Sequence, residues 1–107
     1  MGRGDAVREA VLAWPGVTER PHRFGGREFR LGRREIGHVH GDALVDIPLP
    51  RRERDAAVAS GRAEPHHVLP DSGWVSVRLR SDAAVADALA LLALSLEIAR
   101  AGAARRA

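Results

Sequence analysis

The chain has 107 residues and no cysteine, so one domain is expected, and disulfides and thiolate-bound zinc are ruled out. No apolar run reaches the ~18 residues of a membrane span, and no apolar stretch precedes a small-residue cleavage site near the N-terminus, so a soluble cytoplasmic domain is expected. All 17 basic residues are Arg; with no Lys, Tyr or Cys to titrate in the alkaline range, the pI of 11.1 overstates a net charge of only +3.

Residues 5 to 14 read as a short helix capped by Asp5 and stopped at Pro15-Gly16, with Val7, Val11 and Trp14 on one face. Residues 17 to 26 read as a polar loop. Residues 27 to 31 and 34 to 40 read as a hairpin joined by the two-residue turn Gly32-Arg33, and Gly41-Asp42 as a second two-residue turn into a strand over residues 43 to 49. Those turns pair Phe29 with Ile36, Arg27 with His38, His38 with Val45 and Ile36 with Ile47. One face then carries Phe29, Leu31, Ile36, Val45, Ile47 and Leu49 together with His38 and His40. The other carries Glu28, Arg30, Glu35, Gly37, Val39, Leu44 and Asp46, which puts Asp46 opposite in direction to His38.

Residues 51 to 60 read as a charged helix stopped by Gly61, and residues 62 to 73 as a loop rich in Pro and His. Residues 74 to 80 alternate, with Val75, Val77 and Leu79 on one side and Trp74, Ser76, Arg78 and Arg80 on the other. Ser81-Asp82 then caps a long helix with Val85, Leu89, Leu92, Leu96 and Ala99 at helical spacing, and residues 100 to 107 are expected to fray. The order predicts a single α+β domain over residues 1 to 107. Its antiparallel sheet is a three-stranded meander plus the Trp-led strand, and the long C-terminal helix packs on its apolar face.

Four of the five histidines fall in two groups, His38-Val39-His40 on a strand and His66-His67 in a loop. Residues i and i+2 of a strand share a face, so His38 and His40 converge, as hydrogen-bonded residues of the sheet rim, as acid–base groups or as metal ligands. A third His with Asp42 or Asp46 would complete a mononuclear iron, zinc or manganese set, although no His-Glu-x-x-His helix is present. The stretch from Arg20 to Arg34 holds six Arg and two Phe around Gly25-Gly26, the composition of an anion or nucleic-acid patch. Glu19, Glu28 and Glu35 balance it; Arg30 can pair with Glu35 across the hairpin, and no RNP, KH or helix-turn-helix signature accompanies it. No nucleophile elbow and no phosphate-binding loop occurs. Val39, Leu44 and Trp74 form a second apolar surface beside Asp46, with cover for the first helix as its simplest use.

The stretch Arg34-Glu35-Ile36-Gly37-His38-Val39-His40 resembles a strand of the luciferase-domain family, whose best-known members are the fungal luciferases. Those enzymes follow a similar Arg-Glu-Ile-x-His-x-His strand with an apolar strand, a short helix, a Gly-x-x-x-x-His loop, a Trp-led strand and a long helix. The likeness covers most of residues 27 to 100. The strings Pro21-His22-Arg23-Phe24-Gly25-Gly26, Pro65-His66-His67-Val68-Leu69-Pro70 and Ser72-Gly73-Trp74 also resemble short bacterial members of the family. A fainter likeness in layout links the chain to YjbR-like domains. The fungal resemblance implies addition of oxygen to a hydroxypyrone without metal or flavin, and it makes His38, His40 and His67 the catalytic candidates. The chain departs from the fungal pattern in lacking a long N-terminal region and in continuing as His40-Gly41-Asp42.

The leading expectation is a domain that binds a small organic molecule in a His-lined pocket, with oxygen-using or general-base chemistry as its enzymatic form. Arg34, Asp46, His66 and Trp74 are the substrate-binding candidates, and neither cofactor nor metal is expected. The alternatives are a nucleic-acid or protein interaction module using the Arg-rich hairpin, and a His-ligated metal enzyme. No membrane partner is expected, and the oligomeric state is left open.

Overall fold

A computed structural model describes residues 1–106. A six-stranded antiparallel sheet is formed by β1 (Val17–Pro21), β2 (Arg27–Leu31), β3 (Arg34–His40), β4 (Leu44–Pro48), β5 (Glu64–Pro65) and β6 (Trp74–Arg78), in the order β1-β2-β3-β4-β6-β5. Helix α1 (Arg3–Leu12) precedes the sheet, α2 (Arg51–Ala59) links β4 to β5, and α3 (Asp82–Arg106) closes the chain. The α+β class is as expected. The meander gains β1 on one edge, where a polar loop was expected, and the two-residue β5 on the other.

The core lies between the sheet and α3, with α1 beside α3. Phe29, Ile36, Val45, Ile47 and Val75 from the sheet meet Leu91 and Leu92 of α3 and Val7 and Val11 of α1, and all nine side chains are excluded from water. Packing of α1 on this face corrects the expectation that it covers an outward surface formed by Val39, Leu44 and Trp74. Its own apolar stripe is short, and the space next to α3 completes one core instead of starting a second. Val39 is buried in that core as well.

Helix α1 begins two residues earlier than expected, and Asp5 accepts a hydrogen bond from the Gly2 amide at 3.2 Å. Ser81 caps α3 as expected, accepting from the Ala84 amide at 3.1 Å. The buried stripe of α3 runs through Ala88, Leu91, Leu92, Ser95, Leu96, Ala99 and Gly102, rotated slightly from the predicted one. Residues 100 to 106 continue α3 where fraying was expected, and residue 107 lies outside the described residues. Arg100 donates to the Pro15 carbonyl at 2.8 Å, and Ala99 and Gly102 stay buried.

The register of β3 differs from the prediction in one respect that governs the site. Leu31 faces Arg34 and Arg30 faces Glu35, as a two-residue turn requires, but Phe29 then faces Gly37 and Glu28 faces His38. Ile36 is an extra residue, a β-bulge, and the strand beyond it is turned over. The turn into β4 correspondingly holds three residues, giving His38↔Asp46, Val39↔Val45 and His40↔Leu44. Gly37 lies against α3, where a Cβ would stand 2.5 Å from Leu92 Cδ2. The expected placement of His38 and His40 on the core face is therefore corrected. They point to the side of the sheet away from α3, and Asp46 is on that side with them.

Candidate functional site

On the side away from α3, β3 supplies His38 and His40, β4 supplies Asp46, and β6 supplies Trp74 and Ser76. Asp46 is 1% exposed and directly faces His38 on one neighbouring strand and Ser76 on the other. A buried carboxylate of this kind requires partners for all its lone pairs. Oδ1 accepts from the Ser76 hydroxyl at 2.6 Å. Oδ2 is approached by His38 Nε2 at 3.1 Å, His40 Nε2 at 3.3 Å and His66 Nε2 at 3.5 Å. His67 Nδ1 stands 3.9 Å from Oδ1 and 3.4 Å from Ser76 Oγ. Four imidazoles thus surround one carboxylate.

The bulge at Ile36 brings Glu35 onto the same side as His38, three residues away, and Glu35 Oε2 accepts from His38 Nδ1 at 2.6 Å. Both nitrogens of His38 face carboxylates, which only accept, so the ring carries two protons. Burial opposes that charge, but the bonds to Asp46 and Glu35 outweigh it and raise the His38 pKa to about 9. Burial would push Asp46 up, yet the bonds from His38 and Ser76 hold it at about 2. Burial, with the neighbouring His38 charge second, lowers the pKa of His40; burial also lowers that of His66.

Two loops complete the walls. The first holds His22 and the 3-10 turn Arg23–Gly25 and is closed by the His22 amide on the Gly26 carbonyl at 2.7 Å. His22 donates from Nδ1 to Glu28 at 3.0 Å and stacks on His38, with ring centroids 3.9 Å apart. The second carries His66, His67, Val68 and Leu69, and α2 fastens it: Arg54 donates to the Pro70 carbonyl at 2.6 Å and Arg51 to that of Asp71. His66 Nδ1 accepts the backbone amides of Val68 and Leu69 at 3.1 and 3.0 Å, so the proton of the neutral ring sits on Nε2. Between the loops lies a cleft of about 450 Å³ with Asp46 at its floor. Phe24, Val68 and Leu69 form an apolar rim and are 97%, 68% and 51% exposed.

Of the residues expected at a site, His38, His40, His66, His67, Asp46 and Trp74 meet in this cleft. Arg34 does not. It is exposed, with its guanidinium near Gly102 of α3. Glu35, Ser76, His22 and Phe24 were not singled out. Gly37 inside a strand was the available signal for the bulge that recruits Glu35. Ser76 shared a predicted face with Trp74, but the pairing of β6 with β4 that sets it opposite Asp46 depends on long-range contacts. The Arg residues of the hairpin region are partly engaged: Arg27 pairs with Glu19 at 3.0 Å, and Arg30 pairs with Glu28 on its own strand, not with Glu35.

No curated protein and no solved structure matches the chain. The family model described as Luciferase domain matches residues 33–95, a stretch that runs from the β2–β3 turn into α3 and contains Asp46 and every histidine of the cleft except His22. With more than half of its length matched, the chain belongs to the luciferase-domain family.

Proposed function

We propose that the cleft binds a small planar organic molecule carrying an acidic hydroxyl, an enol or a phenol, and that His67 accepts its proton. The observation that carries this reading is the buried Asp46 carboxylate ringed by four imidazoles at the floor of a cleft with an uncovered apolar rim. Apolar walls with a few convergent polar groups are the usual form of a small-molecule site. Phe24 supports it further. A bulky residue at φ 57° held almost wholly in water is strained and unburied at once, a combination that folding alone does not favour.

His67 suits the base role by its hydrogen bonds. Ser76 spends its proton on Asp46, so its oxygen accepts from His67 Nδ1, and the lone pair of His67 falls on Nε2. His66, whose Nε2 proton faces Asp46, helps hold that carboxylate at the cleft floor. Deprotonation makes an enol electron-rich at carbon, where dioxygen adds. Membership of the luciferase-domain family and the likeness to enzymes acting on hydroxypyrones favour that class of substrate and reaction.

The test is titration of the chain with 4-hydroxy-2-pyrone and with 4-nitrophenol, whose phenolate absorbs visible light. Binding is expected to shift Trp74 and Gly26 in amide spectra and to raise the phenolate fraction. His67→Gln is expected to abolish the rise, and Phe24→Gly to weaken binding without loss of fold. No saturable binding of either compound would overturn the reading.

A further inference from the structure

We infer that His38 Nε2, His40 Nε2 and Asp46 Oδ2 form a binding site for one divalent first-row transition ion, with its remaining coordination positions open to the cleft. Around an ion with bonds of ~2.1 Å, neighbouring ligand atoms lie ~3.0 Å apart in an octahedron and ~3.4 Å apart in a tetrahedron. The two imidazole nitrogens stand 3.1 and 3.3 Å from Asp46 Oδ2. Their rings cross at 80° with centroids 4.8 Å apart, a spacing compatible with two ligands on adjacent positions. Two His and one carboxylate on one side of an ion is the donor set of mononuclear oxygen-activating iron sites, and it also suits manganese and zinc.

The surroundings have the form that orients ligands. His38 gives its Nδ1 proton to Glu35 at 2.6 Å, which directs Nε2 toward the ion; binding replaces the Nε2 proton. Ser76 occupies Asp46 Oδ1 at 2.6 Å, which leaves Oδ2 as the ligand atom. The other histidines are set apart by their own bonds. His66 carries its proton on the nitrogen that faces Asp46. His22 gives its Nδ1 proton to Glu28 and stacks on His38 at 3.9 Å, so it backs the His38 ring.

This set was weak in the sequence because the expected register turned Asp46 away from His38; the bulge at Ile36 removes that objection. The site rests on the proposed use of the cleft for the molecule its open positions meet, and the experiment keeps the two apart. The metal-free 107-residue chain is titrated with Co(II), reading the visible d–d absorption and melting temperature. One ion per chain is expected, with a raised melting temperature. Glu35→Gln should weaken binding by about 10–100-fold. His40→Gln and Asp46→Asn should lose the band, while His67→Gln and His22→Ala should keep it. Should Asp46→Asn fail to fold, His40→Gln, whose side chain is 28% exposed, serves alone. Absence of saturable Co(II) binding by the unaltered chain, or binding retained in His40→Gln, would overturn the site. Phenol binding by metal-free chain without Co(II) uptake overturns the metal site alone, and Co(II) uptake without phenol or pyrone binding overturns the cleft reading alone.

Discussion

Gly37→Ala tests the way the bulged strand meets the long helix. A Cβ at residue 37 would lie 2.5 Å from Leu92 Cδ2, 3.0 Å from the Asp46 carbonyl oxygen and 3.7 Å from Ile47 Cγ1. Leu92 is fully buried, so its methyl has no solvent to move into, and the carbonyl belongs to a central strand. Forcing one methyl into a packed core costs ~1–3 kcal/mol. Taking ~2 kcal/mol, and 4–8 °C per kcal/mol for a domain near this size, the melting temperature should fall by about 8–16 °C. Urea unfolding and thermal melts followed by circular dichroism measure it. The mechanism is isolated by Leu92→Ala, which alone should cost ~2–5 kcal/mol through its cavity. In the double variant the new methyl meets space instead of Leu92, so the combined loss should fall short of the sum by about 1 kcal/mol or more. A Gly37→Ala change within about 0.5 kcal/mol of the parent, or strict additivity in the double variant, would refute the close approach of strand and helix.

Glu19 sits between Arg8, which donates to it from Nε at 2.7 Å, and Arg27. The Arg8 hydrogen bond, outweighing burial, lowers its pKa from 4.5 to about 2. A carboxylate depressed on folding contributes stability that is fully present above 4.5 and lost as pH falls through about 2. With Arg8 44% exposed, Glu19→Gln should destabilise by only about 1 kcal/mol at pH 7. That gap should close as urea melts are taken from pH 5 to pH 2, and a gap constant over the range would rule the pair out. Ser76→Ala removes a 2.6 Å bond to a buried carboxylate, with both residues 1% exposed. Hydrogen bonds to charged groups are worth ~1.5–3 kcal/mol, so chemical denaturation should show a loss in that range. An unchanged midpoint would mean that Asp46 finds another donor.

Where local chemistry decided the outcome, the fold was legible. The turn Gly32-Arg33, the Ser81 cap, the apolar stripe of α3 and the alternation of Trp74 to Arg78 all follow from residue spacing. What stayed hidden depends on contacts distant in sequence. Residues 17 to 21 are polar enough to read as loop, yet they pair with β2 because an edge strand needs only one partner and tolerates charged side chains. The end of α3 is held by Arg100 reaching Pro15, 85 residues away, which helix propensity does not report. Of the site, the histidines and Trp74 were visible as residue types. Their gathering on Asp46 was not, because it needs β3, β4 and β6 side by side in one register.

The register error at β3 looks like two errors and is one. A single extra residue at Ile36 reverses which side every later residue of the strand faces, so the segment from Gly37 to His40 is inverted relative to both β2 and β4. The turn after it must then hold three residues to return Val45 and Ile47 to the core. The predicted register kept all the apolar side chains together, but it also put two imidazoles against α3 and left Val39 in water. The bulge exchanges them. Val39 enters the core, Gly37 takes a position directly against Leu92 of α3, and His38 and His40 pass to the open side with Asp46. Burying His38 and His40 in the apolar layer without partners would cost several times what one irregular strand residue does. The pattern His38-Val39-His40 states the same choice in miniature, since a strand can bury Val39 or the two histidines flanking it. Gly37 beside the bulge lets α3 close over the core, so the packing of the domain and the assembly of its histidine cleft depend on the same two residues.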